Sequence, residues 1–169
     1  MDSRVRSLVT LVVLGLGLAL AGVWGWSAIS EPFPKESSPP VCVDREFAKG
    51  DVVKRRDVTV SVWNGGTRVG LAGLTMDLLV EAGFHEGSEG NTPGKRKVAQ
   101  VEIWTEDPDN PAVKLVRSQF ARAEVVERKV HPPGVLVVVG DGFDDLVPGE
   151  KSVTARTDAS VCGPPRLAS

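Results

Sequence analysis

Apolar and polar residues alternate in the stretch VTVSVW, residues 58–63. This period of two is typical of a β-strand, because successive side chains point to opposite faces. After a glycine-rich stretch, apolar residues recur every three or four positions, which predicts an amphipathic helix. The apolar positions of this helix are Leu71, Leu74, Leu78, Leu79 and Ala82. Gly83 follows them and suits the left-handed position at which helices end.

The rest of the pattern predicts three more strands and a second helix. Residues 98–105 and 123–130 have strand-like patterns, and the charges of the second segment indicate an edge strand. Residues 134–143 contain five consecutive aliphatic residues, which is typical of a strand covered on both faces. Between these strands, Asn110 as N-cap and Pro111 at the first helical position predict a helix. Its core-facing residues are Val113, Val116 and Phe120.

Two polar segments have no clear period. We interpret residues 84–97 as a mobile loop with at most a short irregular strand, and residues 41–57 have only weak strand character. The order strand, helix, strand, helix, strand, strand predicts the α/β class. We expect a small sandwich of two helices and a mixed β-sheet.

The first 30 residues differ in character from the rest of the chain. Residues 8–29 carry no charge, and a helix of that length would span about 30 Å of hydrocarbon. Arg4 and Arg6 precede this segment, which predicts that residues 1–7 are cytoplasmic and that the remainder is outside the cell membrane. The apolar run exceeds the roughly 7 to 15 residues of a signal-peptide core, so we predict a retained transmembrane helix. Cleavage after Ala19–Ala21 is the alternative.

The transmembrane prediction defines the remaining segments. Residues 30–41 contain four prolines and are expected to form a semi-extended linker, while residues 42–163 form the exported domain and residues 164–169 a tail. Export places Cys42 and Cys162 in an oxidising compartment, where the chain offers one intramolecular pairing. We therefore predict a structural disulfide that closes the domain. The alternative, a redox-active pair, lacks the Cys-x-x-Cys arrangement.

Charge and motifs exclude several classes of function. The net charge is −2, from 20 basic and 22 acidic residues, so we expect no nucleic-acid partner. His85 and His131 lie in separate segments without a cysteine cluster, which argues against a zinc site. The stretch GDGFDDL, residues 140–146, lacks the spaced ligands and the final glutamate of a calcium loop. We expect no metal and no cofactor, and no recognisable motif supplies a nucleophile with its base.

The glycine-rich segment GGTRVG, residues 65–70, raises the question of phosphate binding. Its glycine spacing matches a Walker loop, but Leu71 and Ala72 occupy the lysine and hydroxyl positions. Backbone amides before a helix still attract anions, whereas the competing interpretation is a tight strand-to-helix turn. The residues predicted to contact a partner or an anion are Asn64, Gly65, Gly66, Arg68, Lys95, Arg96 and Lys97. For the last three, a solvated loop is the alternative.

The order of these segments resembles the LytR C-terminal domain family. In that family a hydrophobic strand ends in Val-x-Asn-Gly, Gly-x-Ala opens a helix that closes at Gly-Phe, and an aliphatic strand ends the domain. The residues that carry the resemblance are Val62, Asn64, Gly65, Gly70, Ala72, Gly83, Phe84, Gly140 and Phe143. The resemblance covers about residues 58–143, roughly half of the chain.

The resemblance implies a role in the cell envelope. In the family, this domain often follows a LytR-CpsA-Psr catalytic domain, which transfers lipid-linked glycopolymers onto peptidoglycan and has no counterpart in this sequence. Stand-alone versions are regarded as accessory factors, and no catalytic residues are defined for the domain. We therefore expect a non-enzymatic, membrane-anchored extracytoplasmic protein that supports envelope integrity by binding envelope-assembly proteins or cell-wall glycopolymers. A carrier or sensor of a lipid or small ligand is the alternative.

Overall fold

The computed structural model describes residues 3–30, 41–94 and 97–165. The chain divides into two compact units, Met1–Ser38 and Pro39–Ser169. The described residues of the first unit form one helix, α1 (Ser3–Ser30). Within the described residues, no helix has both the length and the apolarity needed to cross a membrane, so the predicted transmembrane helix is not confirmed. Most of the predicted linker and tail lies outside the described residues.

In its described residues, the second unit contains two α-helices, a short 3-10 helix and nine strands. The helices are α2 (Leu71–Glu81), α3 (Pro111–Arg117) and the 3-10 helix Arg55–Asp57. The strands are β1 (Val43–Phe47), β2 (Val52–Lys54), β3 (Thr59–Asn64), β4 (His85–Asn91), β5 (Val101–Thr105), β6 (Glu124–Glu127), β7 (Val135–Val139), β8 (Ser152–Thr154) and β9 (Ala159–Gly163). The prediction of a small domain of mixed α/β architecture is therefore confirmed.

Five strands form one mixed sheet in the order β4-β3-β7-β5-β6. Strands β3, β4 and β7 run parallel, whereas β5 and β6 run parallel to each other and antiparallel to β7. The sheet thus contains two strand-helix-strand units, β3-α2-β4 and β5-α3-β6, that run in opposite directions toward opposite edges. Because such crossovers are right-handed, this arrangement places both helices on the same face of the sheet.

The main core lies between that face and the two helices. Strand β7 occupies the centre of the sheet and all five of its residues are buried, which confirms the prediction from its aliphatic run. The predicted core residues of α3 are confirmed as well, and the Asn110 side chain accepts a hydrogen bond from the backbone N–H of Ala112. One predicted core position of α2 is wrong: Leu74 is 48% exposed, whereas Thr75 and Met76 are buried. Gly83 follows this helix with a φ of +99°.

Strand β4 corrects the prediction of a loop at residues 84–97. Its sequence, HEGSEGN, shows no apolar alternation, because β4 is an edge strand that, within the described residues, pairs with β3 alone and stays largely on the surface. The order along the five-stranded sheet is therefore β-α-β-β-α-β-β, rather than the predicted β-α-β-α-β-β.

Two antiparallel ribbons, β1 with β9 and β2 with β8, are also absent from the prediction. Their strands have only three to five residues, which is too short for a clear period, yet Val53 and Val161 are buried in the main core. The predicted disulfide is confirmed: Cys42 and Cys162 are bonded across a sequence separation of 120 residues. It joins the two ends of the domain beside the first ribbon.

Removal of this disulfide is expected to lower the free energy of unfolding. The chain-entropy model gives about 4.7 kcal/mol for a loop of roughly 100 residues, so we expect a loss of up to that size in the double variant Cys42→Ser, Cys162→Ser. Urea unfolding of the full chain measures the loss, and the wild type unfolded under reducing conditions is the control. An unchanged midpoint in the variant would contradict the structural role.

Candidate partner-binding surface

The glycine-rich loop after β3 is held by the carboxylate of Asp141. Its Oδ1 accepts hydrogen bonds from the backbone N–H groups of Thr67 at 2.6 Å and Arg68 at 2.9 Å, and its Oδ2 accepts from the Thr67 hydroxyl at 2.8 Å. Strands β3 and β7 are parallel neighbours, so the residues that follow each strand meet at the same edge of the sheet. The carboxylate therefore takes the place that a bound anion would occupy.

Asn64 and Arg68 complete the internal bonding of this loop. The Asn64 Oδ1 accepts from the Gly66 N–H at 2.9 Å, and its Nδ2 donates to the Arg68 carbonyl at 2.7 Å. The Arg68 guanidinium donates to the Phe143 carbonyl at 2.8 Å. The backbone amides of three successive residues, 66 to 68, thus have partners inside the chain. This favours the strand-to-helix turn over an anion site at these amides.

Two glycines are required by the same geometry. A Cβ on Gly66 would overlap Oδ1 of Asp141 and would lie 2.8 Å from the Asp141 backbone nitrogen. Gly70, the residue before α2, has a φ of +78°, a left-handed conformation that side chains disfavour. The glycines at positions 66 and 70 therefore have a structural origin that needs no bound phosphate.

The hydrogen bonds to Asp141 stabilise its ionised form. Donation from the Arg68 backbone, followed by the Thr67 backbone and hydroxyl, holds the pKa of Asp141 below its ordinary value, and the nearby charge of Lys97 acts in the same direction. The Val98 N–H also donates to the Gly65 carbonyl at 2.9 Å. Lys97, which precedes Val98, thus lies beside the loop. Lys95 and Arg96 lie outside the described residues.

Apolar side chains border this loop. Val69 is fully exposed, and Leu74, in the first turn of α2, is about half exposed. We call residues 64–69 together with Leu74 and Lys97 the loop surface. It combines a backbone fixed by internal hydrogen bonds with exposed apolar and basic groups.

The face of the sheet opposite the helices carries a second hydrophobic cluster that the sequence analysis missed. Its members are Val98, Trp104, Leu136 and Val138, with Trp63, Val126 and Val130 packed against them. The rings of Trp63 and Trp104 meet edge to face, with 6.2 Å between their centroids, and the Arg128 guanidinium lies 4.2 Å from the centre of the Trp104 ring. The alternation of the strand could have predicted this cluster, because successive side chains point to opposite faces and Trp63 must therefore point away from the face that Val62 occupies.

The predicted histidines stay apart: His85 begins β4, and His131 lies in the loop before β7. In residues 41–94 and 97–165 no group of three or more His, Cys, Asp or Glu side chains is arranged to hold a metal ion. Two clefts, of about 760 and 710 Å³, are open to solvent and are lined by charged as well as apolar residues. Arg117 and Arg122 line the first, and Trp104 and Val130 line the second.

Comparison with known proteins agrees with this architecture. The family model described as "LytR cell envelope-related transcriptional attenuator" (LytR_C) matches residues 57–143, which is half of the chain. The soluble domain of a conserved hypothetical secreted protein of Mycobacterium marinum, an Rv2700 ortholog, has a similar structure, with a TM-score of 0.51 and 20% sequence identity over 61% of this chain and 70% of that one. At this identity the likeness shows the fold alone. The comparison with curated proteins gives no match.

Replacement of Asp141 by alanine is expected to release the loop. The amides of Thr67 and Arg68 should exchange with solvent about tenfold faster, which is the order expected for the loss of a charge-assisted hydrogen bond. Hydrogen exchange followed by NMR at pH 6 measures this, and Asp144→Ala in the same segment is the matched control. We call the hydrogen bonds from the loop to the Asp141 carboxylate the Asp141 clamp. Equal amide protection in Asp141→Ala and in the wild type would contradict it.

The same clamp predicts a dependence on pH. Because the folded-state pKa of Asp141 lies below the ordinary value of 3.8, its contribution is complete above pH 3.8 and is lost as the pH falls through the folded-state pKa. The difference in amide protection between wild type and Asp141→Ala should therefore persist at neutral pH and vanish at the acid end of a titration. A difference that grows on acidification would have the wrong sign.

Proposed function

The chain belongs to the LytR C-terminal domain family, and from this premise we propose that it is a non-enzymatic, membrane-anchored protein of the cell envelope. Its role is to support envelope integrity by binding envelope-assembly proteins or cell-wall glycopolymers. Family membership fits an extracytoplasmic domain, and the disulfide between Cys42 and Cys162 suits an oxidising compartment. The uncharged segment 8–29, preceded by Arg4 and Arg6, supports an anchor with its amino terminus inside.

The loop surface is the observation that carries this proposal. Its backbone is fixed by Asn64 and Asp141, so little conformational entropy is lost when a partner binds. Its polar side chains hold the loop in place, since Asn64 bonds to the loop backbone and the Thr67 hydroxyl donates to Asp141, and this structural use favours binding over catalysis. Fully exposed Val69 provides an apolar contact, and Arg68 and Lys97 add positive charge nearby.

The shape of the clefts favours partner binding over the carrier alternative. A carrier of an acyl or polyprenyl chain needs an enclosed apolar cavity. The clefts of about 760 and 710 Å³ are instead open and partly charged, and the space between the sheet and its helices is filled by buried side chains.

Photocrosslinking in living cells tests the proposed surface. A photoreactive residue at Val69 is preferable to one at Arg68, because the Arg68 side chain bonds to Phe143 and its replacement would disturb the loop. We expect the probe at Val69 to capture an envelope-assembly protein or a glycopolymer, identified by mass spectrometry.

Val80 provides the matched control for this experiment. It is also an exposed valine, but it lies at the other end of α2, about 14 Å along the helix axis. A probe at Val80 should not capture the product obtained from Val69. Identical products from both positions, or no specific product from Val69, would overturn the assignment of this surface.

A further inference from the structure

The helix-free face of the sheet presents two donor groups that make no hydrogen bond to the described residues of the domain. In the described part of the chain, neither the indole N–H of Trp63 nor the guanidinium of Arg128 donates a hydrogen bond to another residue. Trp63 is half-buried, and its Nε1 is not among the buried polar atoms that lack a partner. Both groups are therefore accessible to a ligand on this face.

These groups form a strip across the strands, which we call the tryptophan strip: Trp63, Trp104 and Arg128. Trp63 lies on β3, Trp104 on β5, and Arg128 directly after β6. Three strand spacings separate β3 from β6, about 14 Å in all. The buried Trp104 links the two ends, since it contacts the Trp63 ring at one side and the Arg128 guanidinium at the other.

Gly90 shapes the Trp63 end of the strip. It lies opposite Trp63 in the pairing of β3 with β4, and a Cβ there would lie 3.0 Å from Nε1 and 3.1 Å from Cδ1 of the indole. The absence of a side chain lets the indole extend over the edge strand, whose outer side pairs with no other strand in the described part of the chain. A shallow aromatic shelf with a hydrogen-bond donor on its rim results.

The chemistry of the strip matches an acidic glycan. The negative π face of an indole attracts the C–H groups of a sugar ring, while sugar hydroxyl groups accept hydrogen bonds from an N–H donor. The planar guanidinium of Arg128 binds a carboxylate through two parallel hydrogen bonds. A polymer with a phosphate in every repeat would require a row of cations, whereas Arg128 is the one cation that the described residues place in the strip.

We propose that the tryptophan strip binds a carboxylate-bearing glycan, with one sugar ring on Trp63 and the carboxylate on Arg128. This inference rests on the proposed function and assigns its glycopolymer to a site different from the loop surface. Val126, which is partly buried on the same face, supplies apolar area beside the ligand.

NMR titration of the full-length, ¹⁵N-labelled chain tests the proposal. The probe is the disaccharide of N-acetylglucosamine and N-acetylmuramic acid, which has a free lactyl carboxylate; chitobiose and lactate are the comparison ligands. We expect the disaccharide to shift the Trp63 indole resonance, which the Trp63→Phe variant identifies. Chitobiose should bind about tenfold more weakly, because it lacks the charge-assisted hydrogen bonds, and lactate should not shift this resonance.

Three variants separate the roles of the two ends. Arg128→Gln should lower the affinity for the acidic disaccharide about tenfold, to that of chitobiose, and leave chitobiose binding unchanged. Trp63→Phe keeps an aromatic ring in the cluster but lacks the donor, and should weaken both ligands when binding is followed by calorimetry. Arg122→Gln, at an exposed arginine of the first cleft, should behave as the wild type.

Absence of a shift at millimolar disaccharide, or equal affinity of Arg128→Gln and wild type for it, would overturn the proposal. Failure here is distinguishable from failure of the proposed function, because crosslinking from Val69 reports on the loop surface. Capture at Val69 together with no disaccharide binding would refute the glycan site alone. Loss of both signals would refute both proposals.

Discussion

The parallel pairing of β3 with β7 is the constraint on which the rest of the domain depends. It aligns Val60 with Val135 and Asn64 with Val139, so both strands end at the same edge of the sheet. That alignment brings Asp141 to the loop after β3. At the opposite edge it brings the Pro133 carbonyl to the Ser61 hydroxyl, which donates to it at 2.6 Å. Both ends of the β3–β7 pair are thus fixed by polar groups that face each other only in this register.

Crossover handedness determines which face of the sheet is left for binding. The two strand-helix-strand units run in opposite directions, and a right-handed crossover in each places α2 and α3 on one side. In the described residues no helix covers the other side, so side chains and loops must shield its apolar positions. Trp63 and Trp104 provide much of this shield. The aromatic part of the tryptophan strip is therefore a consequence of the topology. Its side-chain donors, the Trp63 indole N–H and the Arg128 guanidinium, are not required by the topology.

Sequence patterns predicted the elements whose structure depends on neighbouring residues in the chain or on uniform burial. The β7 run is buried on both faces, and Asn110 with Pro111 starts α3 through local bonding, so each is encoded in adjacent residues. Strand β4 was missed because pairing with one neighbour demands no apolar period. The clamp by Asp141 was missed because its partners lie more than 70 residues earlier. Arg55 illustrates the same limit: its guanidinium donates to three main-chain carbonyls, those of Ala82, Gly149 and Glu150, which only the folded chain assembles.

The loop after β3 shows why a glycine-rich turn before a helix does not by itself imply phosphate binding. Such a turn exposes backbone N–H groups that require an acceptor, and a ligand or the protein can supply it. Here Asp141 and Asn64 supply the acceptors for residues 66 to 68. An external anion would have to displace a carboxylate whose low pKa keeps it ionised. Ligand recognition is therefore better sought at exposed Val69 on the loop and, on the sheet, at Trp63 and Arg128, whose side-chain N–H groups donate no hydrogen bond within the described residues.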